Sequence, residues 1–140
     1  MKRLLTFEFG TLKLYENYIL AQINEGVTIP VEASRILVKI ADEHYKGEPF
    51  AYISDRKFSY SVDPAIYIET SKIKNLVGFA IVSNIRSAIS NAKIESLFSE
   101  KYYETFEIIS EAKTWANYTV KQHKKKKLSK KVNLIHTKRI

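Results

Sequence analysis

The spacing of apolar and polar positions divides the chain into short alternating segments. Thr6 to Phe9 and Leu12 to Tyr15 alternate about Gly10, a residue free to take a positive φ, and predict two strands of a hairpin. Glu16-Asn17 marks a second turn. Tyr18 to Ile23 then reads as a more buried strand, completing a three-strand meander. Ala33, Ile36, Leu37, Ile40 and Ala41 recur at helical spacing after Thr28, the predicted N-cap, and Pro30; Gly47 closes that helix. Pro49 to Ser54 predicts a strand, and the polar stretch Asp55 to Val62 a loop. Asp63-Pro64 predicts a helix start, with the helix running to about Lys74. The near-continuous apolar run 76–83, LVGFAIVS, predicts a strand covered on both faces.

From Ser83 or Asn84 a further helix is expected, with Ile85, Ala88, Ile89, Ala92, Leu97 and Phe98 inward. Thr105 to Ile109 is a strand candidate. Ser110 caps a last helix whose Ala112, Trp115, Ala116 and Thr119 share a face. A meander followed by alternating helices and strands predicts an α/β fold: a mixed β-sheet with helices packed on it.

Charge changes the picture at one end. The chain holds 23 Lys and Arg against 15 Asp and Glu; nine of the basic residues and none of the acidic ones lie in 121–140. The first 120 residues are therefore near neutral, 14 basic against 15 acidic. We expect a domain over 1–120 and a basic C-terminal extension over 121–140. Three readings suit the extension. It is a solvated, partly disordered tail. It is a polyanion grip on nucleic acid through Lys124, Lys125, Lys126, Lys127, Lys130 and Lys131. Or it is an interfacial helix on anionic lipid or an acidic protein surface, with Leu128, Val132 and Ile135 on one face. That stripe is thin and lacks aromatics.

The chain has no cysteine, which excludes disulfides, thiolate chemistry and Cys-ligated zinc. No signal peptide or membrane-spanning run is evident, and a cytoplasmic location is expected. His44, His123 and His136 are scattered, so no metal site is expected. The four glycines are isolated and form no phosphate loop, so no cofactor is expected.

The best site candidate is the segment from a strand end into a helix start: Ser54, Asp55, Arg56, Ser59, Tyr60, Ser61 and Asp63. α/β sheets bind ligands at that edge, and a helix N-terminus receives anions. The same residues also read as a polar connection, a reading that explains Asp63 fully as a helix cap. Asp55 and Asp63 lack a base, a nucleophile and an oxyanion donor around them, so no enzyme is expected. Tyr45 and Tyr102-Tyr103 read either as surface stacking groups or as core edges.

Several stretches carry a resemblance: 18–26 (YILAQINEG), 49–56 (PFAYISDR), 60–64 (YSVDP), 78–82 (GFAIV), Phe106, 110–112 (SEA) and Trp115-Ala116. Over about residues 3–120 they resemble the SpoIIAA-like group of STAS domains and their lipid-binding CRAL-TRIO relatives, in particular a small stand-alone branch of Bacteroidetes-type bacteria. The resemblance implies a mixed sheet backed by helices. It also implies action through a protein partner or a small ligand rather than catalysis. The antagonist branch carries a phosphorylatable serine in an Asp-Ser-Gly context; residues 53–64 offer Ser54, Ser59 and Ser61 but no glycine. The expected function is a non-enzymatic interaction or regulatory module. The alternatives are a nucleic-acid-associated protein using the tail and a small-ligand or lipid-binding protein. An exposed edge strand of the meander would support a homodimer.

Overall fold

The computed structural model describes residues 1–56, 61–62, 64–83 and 92–138. Its main sheet has six strands. β1 (Arg3–Phe7), β2 (Gly10–Leu14) and β3 (Tyr18–Ile23) form the antiparallel meander. β3, β5 (Phe50–Asp55), β7 (Leu76–Val82) and β8 (Tyr102–Phe106) run parallel, giving the spatial order β1-β2-β3-β5-β7-β8. β4 (Thr28–Ile29) and β6 (Ser61–Val62) pair separately as a small parallel ribbon. The helices are α1 (Ala33–Glu43), α2 (Pro64–Ser71), α3 (Ala92–Leu97) and α4 (Ile109–Lys138). The fold is mixed α/β, as the alternation of elements implies.

Parallel strands that step in one direction through crossovers of one hand keep their helices on one face. The buried residues fall in two clusters accordingly. On one face Leu37, Ile40 and Ala41 of α1 and Phe98 after α3 pack on Ile19, Phe50, Phe79 and Ile81, with Tyr67 of α2 beside them. On the other face Ala112, Ala116 and Val120 of α4 pack on Tyr18, Leu20, Ala51, Ile53, Ala80 and Val82. Strand alternation produces the split: Phe50 and Tyr52 point one way, Ala51 and Ile53 the other. β7 is buried along its whole length, as its apolar run predicts.

Several element boundaries, and the burial of one residue, differ from the sequence expectation. Thr28 is not an N-cap, because Thr28-Ile29 is drawn into β4 by pairing with Ser61-Val62. α1 starts at Ala33, behind Glu32, which makes no side-chain cap. Asp55 is the last residue of β5 and not part of a loop. β8 lies at 102–106, three residues before the expected 105–109, because Ile109 already opens α4. Leu97 is exposed rather than inward, whereas Phe98 is fully buried. The predicted inner positions Ile85, Ala88 and Ile89 lie outside the described residues.

Lys101 locks one edge of the sheet. Its Nζ donates to the carbonyls of Ile73 (2.7 Å) and Leu76 (2.6 Å), satisfying two acceptors where the chain enters β7. Burial lowers its pKa below the usual lysine value.

Candidate functional site

Ser54 and Asp55 close β5 at the carboxyl edge of the parallel strands, where α/β sheets bind ligands. Being consecutive strand residues, they point to opposite faces. Ser54 faces the α1/α2 layer and lines a cavity of about 50 Å³ together with Ser34, Tyr52, Tyr67, Thr70 and Ile29. That volume holds about three or four waters.

Asp55 faces the α4 side. Its carboxylate accepts a hydrogen bond from Gln22 Nε2 at 3.1 Å, and Gln22 is its register partner on β3. Both residues line an open cleft of about 450 Å³ with Val82, Ser83, Glu107 and Ile109 at the start of α4. The sequence signal for this pair was Gln22, one polar residue inside the apolar run of β3.

The remaining residues of the predicted loop separate. The Arg56 guanidinium lies 5.6 Å from the centre of the Tyr67 ring, a cation–π contact on the α2 side. The Ser61 backbone pairs with Thr28. Ser59, Tyr60 and Asp63 lie outside the described residues. What sequence reading treated as one loop is thus divided: Ser54 and Arg56 face one layer, Asp55 the other. Among the described residues no group of three His, Asp or Glu side chains is placed to hold a metal ion.

Above the sheet on the α1/α2 face an aromatic stack crosses three strands. Phe79 is the hub, with centroids 4.3 Å from Phe98, 5.5 Å from Tyr52 and 6.1 Å from Tyr103, all near parallel. Tyr103 therefore belongs to the core edge, and burial raises its phenol pKa. Tyr45 is also core: it stacks on Phe50 at 4.4 Å and donates to the Tyr15 carbonyl at 2.9 Å. Tyr102 remains on the surface, where Lys126 Nζ reaches its hydroxyl at 3.1 Å.

α4 is the most exposed functional candidate. It continues as one helix through the expected boundary at 120/121. Its first half is docked by Ala112, Ala116 and Val120, all fully buried. Lys113 lies over the Tyr15 ring, Asn117 accepts from Asn17 at 3.1 Å, and Lys124 Nζ lies 3.5 Å from Asn17 Oδ1. From Lys127 to Asn133 every residue is exposed. Lys124, Lys125, Lys126, Lys127, Lys130 and Lys131, the predicted polyanion contacts, all lie on this helix, and Lys124 and Lys126 also brace it against the body.

Two histidines, His44 and His123, are pushed toward the neutral form. Burial lowers the pKa of His123, with Lys127, Lys126 and Lys130 adding to it. Burial lowers His44 as well, helped by Lys2 and Arg3. His44 sits at the C-cap of α1, where a cation would suit the helix dipole, but the desolvation and the two basic neighbours prevail.

No protein-family model, curated protein or solved structure matches this chain. Among the described residues no helix is long and apolar enough to cross a membrane.

Proposed function

We propose that this chain is a non-enzymatic interaction module of the SpoIIAA-like kind, working in the bacterial cytoplasm, whose contact element is α4. The observation that carries this reading is the change along that helix. Its first half is packed into the sheet, and beyond the body contacts of Lys124 and Lys126 the residues from Lys127 to Asn133 all stand in solvent. A helix already ordered by its docked half loses little conformational freedom on binding, which a disordered tail of the same composition would have to lose. The partner is anionic, because α4 carries Glu111 as its one acidic residue against many lysines.

The carboxyl edge contributes less to this reading. Ser54 and Asp55 look into different spaces, and the space beside Ser54 admits only a few waters. That does not favour a lipid pocket there.

The test is retention on heparin. The variant Lys125→Gln/Lys127→Gln/Lys130→Gln/Lys131→Gln removes four exposed charges and leaves Lys124 and Lys126 on their body contacts. It should elute at much lower salt than the native chain, with circular dichroism and melting temperature unchanged. Equal retention of both proteins would refute the reading. Truncating 121–140 is the poorer test, since Lys124 and Lys126 also touch the body.

A further inference from the structure

Resting on the reading of α4 as the contact element, we infer that its outward face docks in the plane of an anionic lipid bilayer. Among the described residues α4 is the one helix on its side of the sheet, and its outward positions Thr114, Tyr118, Lys121, Lys125, Leu128 and Val132 are all exposed. The apolar positions of α4 form two stripes, not one. Ala112, Ala116 and Val120 face the sheet with no exposure. Tyr118, Leu128 and Val132 are 65%, 64% and 54% exposed. At 100° per residue the second stripe lies about half a turn from the first. The sheet-facing line continues past Val120 into His123, Lys127 and Lys130, whereas the outward line becomes apolar.

Packing against the sheet accounts for the first stripe and leaves the second unexplained. Phosphate capture needs lysines and gains nothing from Leu128 and Val132. A second copy of this helix would bring like charges together. A bilayer interface uses both groups: apolar side chains enter the headgroup boundary while flanking lysines meet anionic heads. Lys121 and Lys125 fall on the same outward face, between Tyr118 and Leu128, where long stems reach headgroups while the apolar groups descend. Tyrosine suits that depth, with a ring in the apolar zone and a hydroxyl in the wet one. From Tyr118 to Val132 the face is about 21 Å long. Glu111 in the first turn of α4 and Glu107 just before the helix lie at its opposite end, so the anionic surface meets the distal half. The helix lies on the membrane and does not cross it.

The experiment is vesicle flotation with the full chain. Native protein should float with phosphatidylcholine vesicles that contain phosphatidylserine, stay behind with phosphatidylcholine alone, and dissociate as salt rises. The variant Leu128→Gln/Val132→Gln keeps every charge and good helix formers. It should lose about tenfold in partitioning with heparin retention unchanged. If the native chain binds heparin but no vesicle, or if the Leu128/Val132 variant floats as well as native, the bilayer inference is wrong while the anionic-partner reading stands. If duplex DNA binds tightly, indifferent to Leu128 and Val132, and vesicles do not bind, the partner is nucleic acid. Loss of heparin binding as well would overturn both.

Discussion

Gly78 sets how closely α4 approaches the sheet. It lies in β7 opposite Ala51 on one side and Tyr102 on the other. A Cβ built there would stand 3.1 Å from Trp115 Cη2, 3.4 Å from Thr119 Cγ2 and 3.5 Å from Ala51 Cβ. The last two are ordinary contacts; the first is too close by a few tenths of an ångström, against a ring that cannot bend. The Trp115 ring must therefore shift by a few tenths of an ångström within its packing between β7 and α4. Overpacking of this kind costs about 1–3 kcal/mol. Removing a glycine from the unfolded chain returns about 0.4–1 kcal/mol. Gly78→Ala should then destabilise by about 1 kcal/mol. Gly78→Val, with two further methyls aimed at the ring, should cost about 3 kcal/mol. At roughly 3–4 °C per kcal/mol for a chain of this size, the melting temperature should fall by about 3–4 °C and about 10 °C. Trp115 is the only tryptophan, so intrinsic fluorescence reports the same contact. Its emission should shift to the red in Gly78→Val before any unfolding. A Gly78→Val protein as stable as native, with unchanged emission, would refute the close packing of α4 on β7.

Three further perturbations test other parts of the fold. Gly10 has φ +151°, and a Cβ there would sit 2.8 Å from Ile23 Cα and against the Gln22 carbonyl; Gly10→Ala should cost roughly 3 kcal/mol in urea unfolding, and a cost below about 1 kcal/mol would contradict the hairpin geometry. Phe79→Ala removes the hub of the aromatic stack and should cost about 3–5 kcal/mol with loss of the near-ultraviolet dichroism, while a near-native spectrum would show that the rings do not depend on it. His44 and His123 have folded pKa values below 6.5, so the unfolded chain takes up protons first; stability should be full above that pH and fall as pH drops through it, and His44→Gln/His123→Gln should flatten the urea midpoint between about pH 7.5 and about pH 5.5.

Legibility in the sequence followed the range of the interaction that decides each feature. β7 was plain because seven consecutive apolar residues need cover on both faces. The inner face of α1 was plain because Leu37, Ile40 and Ala41 repeat with the helix. Thr28 misled because its capping chemistry is local, while the pairing of Thr28-Ile29 with Ser61-Val62 spans more than thirty residues. Asp55 misled for a related reason. Its polarity suggested a loop, yet Gln22 across the register supplies a hydrogen bond that lets a carboxylate finish a buried strand.

By itself the sequence determined the order of the long strands and helices, the α/β class, and the confinement of net positive charge to the last twenty residues; the short pair β4 and β6 was not legible in it. These follow from periodicity and composition, which neighbouring residues carry. Only the tertiary structure decided how Ser54 and Asp55 part to opposite faces, and how α4 runs unbroken from the sheet into the basic segment. It also decided that the apolar stripe of that helix changes sides after Val120. The sheet-facing direction is defined by packing against strands up to a hundred residues away. The same leucine and valine that look like a thin stripe in the sequence acquire an outward direction, and Tyr118 as a neighbour, only when the first half of the helix is docked.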